Sequence, residues 1–300
     1  IRLATTAGLT HRMDSISTPD GRRLAYAEWG DPGGLPVMYC HGFPGSRLEA
    51  RLADNAARDL GIRLIAPDRP GFGGSTFLPG RHFGDWPDDL ASLADALAVS
   101  RFDLIGVSGG APYAIASGLM LNERVNRIAL VCGLGEYTGD NATAGMNPAA
   151  AAAIRLQRHW PRLGHLTYSR LIGPLLGHFP GLVFKALVGN ATGADRAVLM
   201  DASVRETIVA SFAEAFRDGS AGPTCEVDLI TRPWDIDPSK LQVPVRLWHG
   251  EADRTVPVAM GRRHASQIPH VTAHFIPGEG HFSLIVRYMR QILADLVRED

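Results

Sequence analysis

Along the first third of the chain, short apolar runs alternate with longer segments whose apolar positions recur every three or four residues. Val37 to Cys40, Ile62 to Ala66, Phe102 to Val107 and Ile128 to Val131 are compact and nearly continuous in apolar residues. Such runs suit strands buried on both faces of a parallel sheet. Between them, 46–60 carries Leu48, Leu52, Ala56 and Leu60 at helical spacing, with Ser46 placed to cap it. Segments 85–99 and 111–121 read as helices as well. Two extended runs, 14–18 and 22–29, flank Pro19-Asp20-Gly21 and predict an N-terminal hairpin. The rhythm breaks near residue 137 and returns with a strand over 243–248, a helix over 260–268, a strand over 272–276 and a helix over 284–297. The stretch between shows helical patterns only, cut into short pieces by Pro161, Gly164, Gly173, Pro174, Pro180, Gly181 and Gly193. The pattern predicts an α/β protein with a mostly parallel, twisted sheet of about eight strands, an N-terminal hairpin and helices on both faces. The expected core is 1–136 plus 241–300, with a helical insertion at 137–240 after the sixth strand.

Composition narrows the function classes. The chain has 300 residues, with 30 Lys+Arg against 31 Asp+Glu, so whole-chain charge gives no reason to expect nucleic acid or a membrane surface as partner. Hydrophobic residues at 45% and charged residues at 20% fit a folded globular protein and exclude a disordered one. Cys40, Cys132 and Cys225 form no CxxC, which argues against a disulfide framework or zinc ribbon and points to a reducing, cytoplasmic compartment. The first residues hold no apolar run long enough for a signal peptide or a span, so no targeting segment is expected. Residues before Met13 read as a tail or a truncated start. Arginine outnumbers lysine heavily, only Lys185 and Lys240 being present, which with the many alanines suggests a GC-rich, bacterial coding sequence. No HExxH or Walker A pattern occurs, and Gly71-Phe72-Gly73-Gly74 has Thr76 where a dinucleotide loop needs its third glycine. Neither a metal nor a nucleotide cofactor is expected, and the partner is a small molecule. Oligomeric state is not legible.

Candidate chemistry centres on Gly106-Val107-Ser108-Gly109-Gly110, a G-x-S-x-G pattern between a strand and a helix. A serine on a sharp strand-to-helix turn is lifted above the sheet, and Gly106 and Gly110 supply the lack of bulk that such a turn needs. A serine hydroxyl needs a base, and the base an orienting acid. Asp253 follows the returning strand and His281 follows the last one, both at the sheet edge where Ser108 sits and where open α/β sheets bind ligands. Glu251 and Glu136 are rival acids, while His249 and His41 read as structural. A tetrahedral intermediate needs two amide donors about 3 Å from its oxyanion. Gly109 offers one, and Phe43 in His41-Gly42-Phe43-Pro44-Gly45-Ser46 is the candidate for the second. Val107, Trp160, Tyr168, Phe212, Val256 and Phe282 are candidates to line a mainly apolar pocket.

Taken with Asp68-Arg69-Pro70-Gly71-Phe72-Gly73-Gly74-Ser75, Gly250-Glu251-Ala252-Asp253 and Gly280-His281, these motifs resemble the α/β-hydrolase superfamily over the whole core, in order. The resemblance implies the α/β-hydrolase fold with Ser108 as nucleophile, His281 as base, Asp253 as acid and the amides of Phe43 and Gly109 as oxyanion hole. It implies that 137–240 is a helical cap and that 68–75 is structural. Serine at 108 departs from the aspartate nucleophile of related haloalkane dehalogenases and epoxide hydrolases, and glycine at 109, where many esterases of the superfamily carry Met or a larger residue, implies a little more room beside the nucleophile. The expected activity is carboxylic-ester hydrolysis through an acyl-enzyme. The alternatives are carbon–carbon bond hydrolysis or amide and aminopeptide cleavage by the same triad, and a non-turnover ligand receptor of this fold.

Overall fold

A computed structural model describes residues 12–139, 142–191 and 193–298. The expected N-terminal tail falls mostly outside them. Eight strands form one sheet: β1 (Arg12–Ser17), β2 (Arg23–Gly30), β3 (Leu35–Cys40), β4 (Ile62–Pro67), β5 (Phe102–Val107), β6 (Val125–Val131), β7 (Val245–Gly250) and β8 (Val271–Ile276). Their order is β1-β2-β4-β3-β5-β6-β7-β8. β1 and β2 are antiparallel to each other, β2 is antiparallel to β4, and every later pairing is parallel. The hairpin turns at Gly21, whose φ of +83° suits glycine.

Side chains leave the strands alternately, and the two sets build two cores. Met38, Leu104, Leu130 and Leu247 face one side, against α2 (Trp86–Ala96), α3 (Ala111–Met120) and α11 (Val258–Gln267). Tyr39, Ile105, Val107 and Val131 face the other, against α1 (Asp54–Asp59) and α12 (His281–Val297). All six residues of β5 are buried, as a central strand covered on both faces requires. The expected helix over 46–60 is split. Arg47–Ala53 is a tight 3-10 turn capped by Ser46, and α1 follows it. The α-helix therefore begins only at Asp54, whose carboxylate accepts the Gly30 amide at 2.7 Å.

Between β6 and β7 the described residues form helices and no strand: α4 (Pro148–His159), α5 (Pro161–Thr167), a π turn (Tyr168–Ile172), α6 (Gly173–His178), α7 (Pro180–Asn190), α8 (Gly193–Leu199), α9 (Ala202–Ala215) and α10 (Ala221–Thr231). One buried network ties this insertion to the sheet. Glu226 of α10 pairs with Arg69 at 3.2 Å and with Arg81, and accepts the Tyr113 hydroxyl at 2.5 Å.

Candidate active site

Parallel strands all end on one rim, so residues distant in sequence meet there. Ser108 directly follows β5 and sits at φ +52°, a left-handed conformation unusual for a residue with a side chain. The turn can be that sharp because Gly110 packs its bare α-carbon against the carbonyl ends of Cys40 and His41. Ser108 lies on the wall of an apolar cavity of about 240 Å³. Its hydroxyl makes no hydrogen bond among the described residues, and the Ser108 carbonyl accepts the Leu134 amide at 2.9 Å.

Asp253 lies just past β7. Its Oδ1 accepts the amides of Thr255 and Val256, both at 2.8 Å, which fixes the carboxylate plane. Its Oδ2 accepts Nδ1–H of His281 at 2.7 Å. An ionised carboxylate only accepts, so this bond places the imidazole proton on Nδ1 and leaves the Nε2 lone pair for a proton. His281 is almost fully buried, and burial alone would depress its basicity. Asp253, followed by Asp195 and Glu49, more than offsets that loss and raises the pKa above the ordinary histidine value. His281 is also the first residue of α12 rather than a loop residue.

The rival acids face elsewhere. Glu136 accepts the Trp234 amide at 2.9 Å, and Glu251 pairs with Arg262 at the surface. His249 is buried beside the acid, its Nε2 bonding the Val256 carbonyl at 2.8 Å and lying 3.6 Å from Asp253 Oδ2, and has its pKa lowered chiefly by burial. His41 is buried too, with Nδ1 on the Gly42 carbonyl and Nε2 accepting the Arg69 amide.

Phe43 and Gly109 are brought together. A methyl group on Gly109 would stand 2.8 Å from Phe43 Cβ and 3.2 Å from its amide nitrogen. The extra room expected at Gly109 is therefore not there, because Phe43 occupies it. The Phe43 amide bonds no acceptor among the described residues, and the Gly109 amide opens a helical turn, where donors lack intrahelical acceptors.

Two carboxylates at this rim escaped the sequence reading. Glu49 accepts the Gly42 amide at 2.9 Å and the Tyr39 hydroxyl at 3.0 Å, and burial pushes its carboxyl pKa up. The Ser46-x-x-Glu49 spacing was its signal, being that of a capping box. Asp195, from α8, accepts the amides of His281 and Ser283. No local pattern marks it.

Of the pocket candidates, Tyr168 and Val256 line the cavity, together with Phe43, Pro44, Leu134 and Ile154. The other four do not. Val107 faces the sheet core under the turn. Trp160 is 63% exposed, because it ends α4 and points outward. Phe212 and Phe282 pack in a separate cluster around Phe184, Leu199 and Ile208. Cys132, Asp253 and His281 offer ligand atoms within 4.8 Å of one another. This trio does not suit a metal. Burial, and then Asp253, push the Cys132 thiol well up, away from thiolate, and Asp253 already holds His281 Nδ1.

The sheet order and this rim define an α/β hydrolase. The family model described as alpha/beta hydrolase fold matches residues 36–288, and the chain belongs to that family. An epoxide hydrolase of Caballeronia sordidicola is 37% identical over 102 residues, 32% of this chain and 30% of that protein. The chain thus aligns with less than a third of that relative. A 2-hydroxymuconate semialdehyde hydrolase of Pseudomonas putida is 27% identical over 84% of this chain and 82% of that protein. A thermophilic esterase from Thermogutta terrifontis superposes with TM-score 0.70 at 22% identity, over 95% of this chain and 96% of that one.

Proposed function

We propose that this hydrolase cleaves a carboxylic ester through an acyl-enzyme on Ser108, with His281 as base and Asp253 as orienting acid. The observation that carries the reading is the 2.7 Å bond from His281 Nδ1 to Asp253, made at the same rim as a serine on a strained turn. The Ser108 hydroxyl turns to Nε2 of His281, loses its proton as Oγ attacks the ester carbonyl, and the oxyanion falls to the amides of Phe43 and Gly109. His281 then protonates the departing alcohol. Water, deprotonated by the same imidazole, releases the acid and restores Ser108. Catalytic hydrogen bonds of ligand-free enzymes commonly close only around substrate, which accommodates the unpaired hydroxyl.

The helices over 148–231 act as a cap on this reading. Among the described residues, the cavity lining holds no charged side chain. A neutral, largely apolar acyl or alcohol group suits it, whereas a carboxylate-bearing substrate would be stripped of water and meet no cation. This favours ester cleavage over carbon–carbon cleavage of an anionic ring-opening product. The test is hydrolysis of short p-nitrophenyl esters, with fluorophosphonate labelling. Ser108→Ala is expected to abolish both. Wild-type turnover in that variant would falsify the assignment. Thermal stabilisation by an ester that is not turned over would support a receptor instead.

A further inference from the structure

The balanced charge of the whole chain conceals a segregation. Residues 141–194 contain no Asp or Glu, but hold Arg155, Arg158, Arg162, Arg170 and Lys185. Four of these five cations are exposed, and none has an ion pair among the described residues. One carboxylate that does reach the segment, Asp228, is engaged by Gln157 and His165. The same stretch carries the molecule's main concentration of exposed large apolar side chains: Leu163, Leu166, Leu171, Leu175, Phe179 and Leu182 are each at least half exposed.

Their spacing is ordered. Leu163 and Leu166 share the outward side of α5, and Leu171 and Leu175 fall on that same side. The π turn over Tyr168–Ile172 takes more residues per turn than an α-helix, so it carries the stripe across the junction. The inward side of this helix is a different set. Gly164, Thr167, Tyr168 and Ile172 line the cavity. No single helix among the described residues is long and apolar enough to cross a membrane. Pro161–His178 and Pro180–Asn190 reach that apolarity only together, and they are bent by 94°. An apolar stripe flanked by unpaired cations and too short to span has the make-up of a segment lying in a lipid interface.

We propose that the outer face of α5, α6 and α7 docks onto an anionic lipid surface, with the leucines and Phe179 in the acyl boundary and Arg162, Arg170 and Lys185 over the headgroups. A second copy is the competing occupant, and charge argues against it. A two-fold contact sets the same patch against itself, which would bring three cations onto three with no carboxylate from the segment between them. Anionic headgroups supply what the face lacks.

The test is flotation of the full chain with vesicles of phosphatidylcholine, alone or with about 30 mol% phosphatidylglycerol. Capture by the anionic vesicles only is expected, with release near 0.5 M salt, where screening lengths fall to roughly 4 Å. Arg162→Gln with Arg170→Gln and Lys185→Gln should weaken capture about a hundredfold, at roughly fivefold per charge. Leu171→Asp with Leu175→Asp should abolish it. Both variants should keep the wild-type melting temperature and soluble-ester turnover, since none of these side chains lines the cavity. If the leucine variant does not fold, the charge variant alone decides. Equal capture by neutral vesicles, capture unchanged in the charge variant, or no capture overturns the proposal. So does a concentration-dependent dimer that the leucine substitutions dissolve.

Discussion

The carboxylate of Asp195 accepts the backbone amide of His281 at 3.1 Å and that of Ser283 at 2.8 Å. A residue of the helical insertion thus caps the helix that begins with the imidazole. Its negative charge sits at the positive end of α12 and helps raise the His281 pKa, after burial and Asp253 have set the larger balance. The base must be neutral to accept a proton, so activity is lost as pH falls through the His281 pKa. Removing a nearby negative charge lowers that pKa. Asp195→Asn is therefore expected to shift the acid limb of kcat/KM to lower pH. Asp195→Ala also strands two amides and should cost about 1 kcal/mol of stability, read by urea denaturation. An unmoved acid limb in Asp195→Asn would remove Asp195 from any role at the base.

The charge of Glu49 also helps raise the pKa of the same imidazole, after burial, Asp253 and Asp195. Glu49→Gln keeps an oxygen to accept the Gly42 amide and Tyr39 hydroxyl but loses the charge. The acid limb should again move to lower pH, with kcat on the plateau changed by less than about threefold, a barrier difference of some 0.6 kcal/mol. Glu49→Ala frees the Gly42 amide and the loop that carries Phe43. It should lower kcat on the plateau as well. The two variants separate charge from positioning, and identical behaviour in both would refute that separation.

The sheet was legible because its strands are apolar runs bounded by turns, and β5 matches Phe102–Val107 end to end. That Ser108, Asp253 and His281 stand at the ends of strands on one rim was legible because each follows a strand in a short, glycine-marked segment. The pocket was not. Phe212 lies on a helix and Trp160 at the break between two, and a helical pattern says which residues share a face but not which neighbour that face meets. Trp160 turned to solvent, and Phe212 to a cluster behind the site. Asp195 was invisible for the same reason, since its partner lies 86 residues away.

Gly109 is set by its neighbour. A methyl group there would lie 2.8 Å from Phe43 Cβ, and the backbone of the 41–45 loop would have to retreat. On the proposed mechanism that retreat withdraws the Phe43 amide from the oxyanion. Gly109→Ala is expected to lower kcat about a hundredfold, with KM changed far less, as loss of one oxyanion donor does. Fluorophosphonate labelling of Ser108 should slow in step. Full activity in Gly109→Ala would remove Phe43 from the oxyanion hole.

Glu226 links the insertion to that loop. It is fully buried between Arg69 and Arg81, and Arg69 in turn holds the carbonyls of His41 and Gly42. Neutralising it leaves two buried guanidinium groups without a counter-charge. Glu226→Gln should destabilise the protein by roughly 3 kcal/mol or more in chemical denaturation. A loss under about 1 kcal/mol would mean that water or other groups already compensate those charges.

Asp103, on β5, is buried with its Oδ1 unbonded. Burial pushes its pKa up to about 6, and Arg127 offsets only part of that. A folded-state pKa above the unfolded value near 4 means that the folded protein holds this proton longer. The stabilising share is therefore full below about pH 4 and is lost as pH rises through about 6. At pH 7.5 the ionised group costs at most about 3 kcal/mol, from a shift of roughly two units. Asp103→Asn carries no such cost. It should raise the melting temperature at pH 7.5, and the gain should shrink toward zero near pH 4. A variant equally stable or less stable than wild type at pH 7.5 would show that Arg127 and solvent already satisfy the carboxylate.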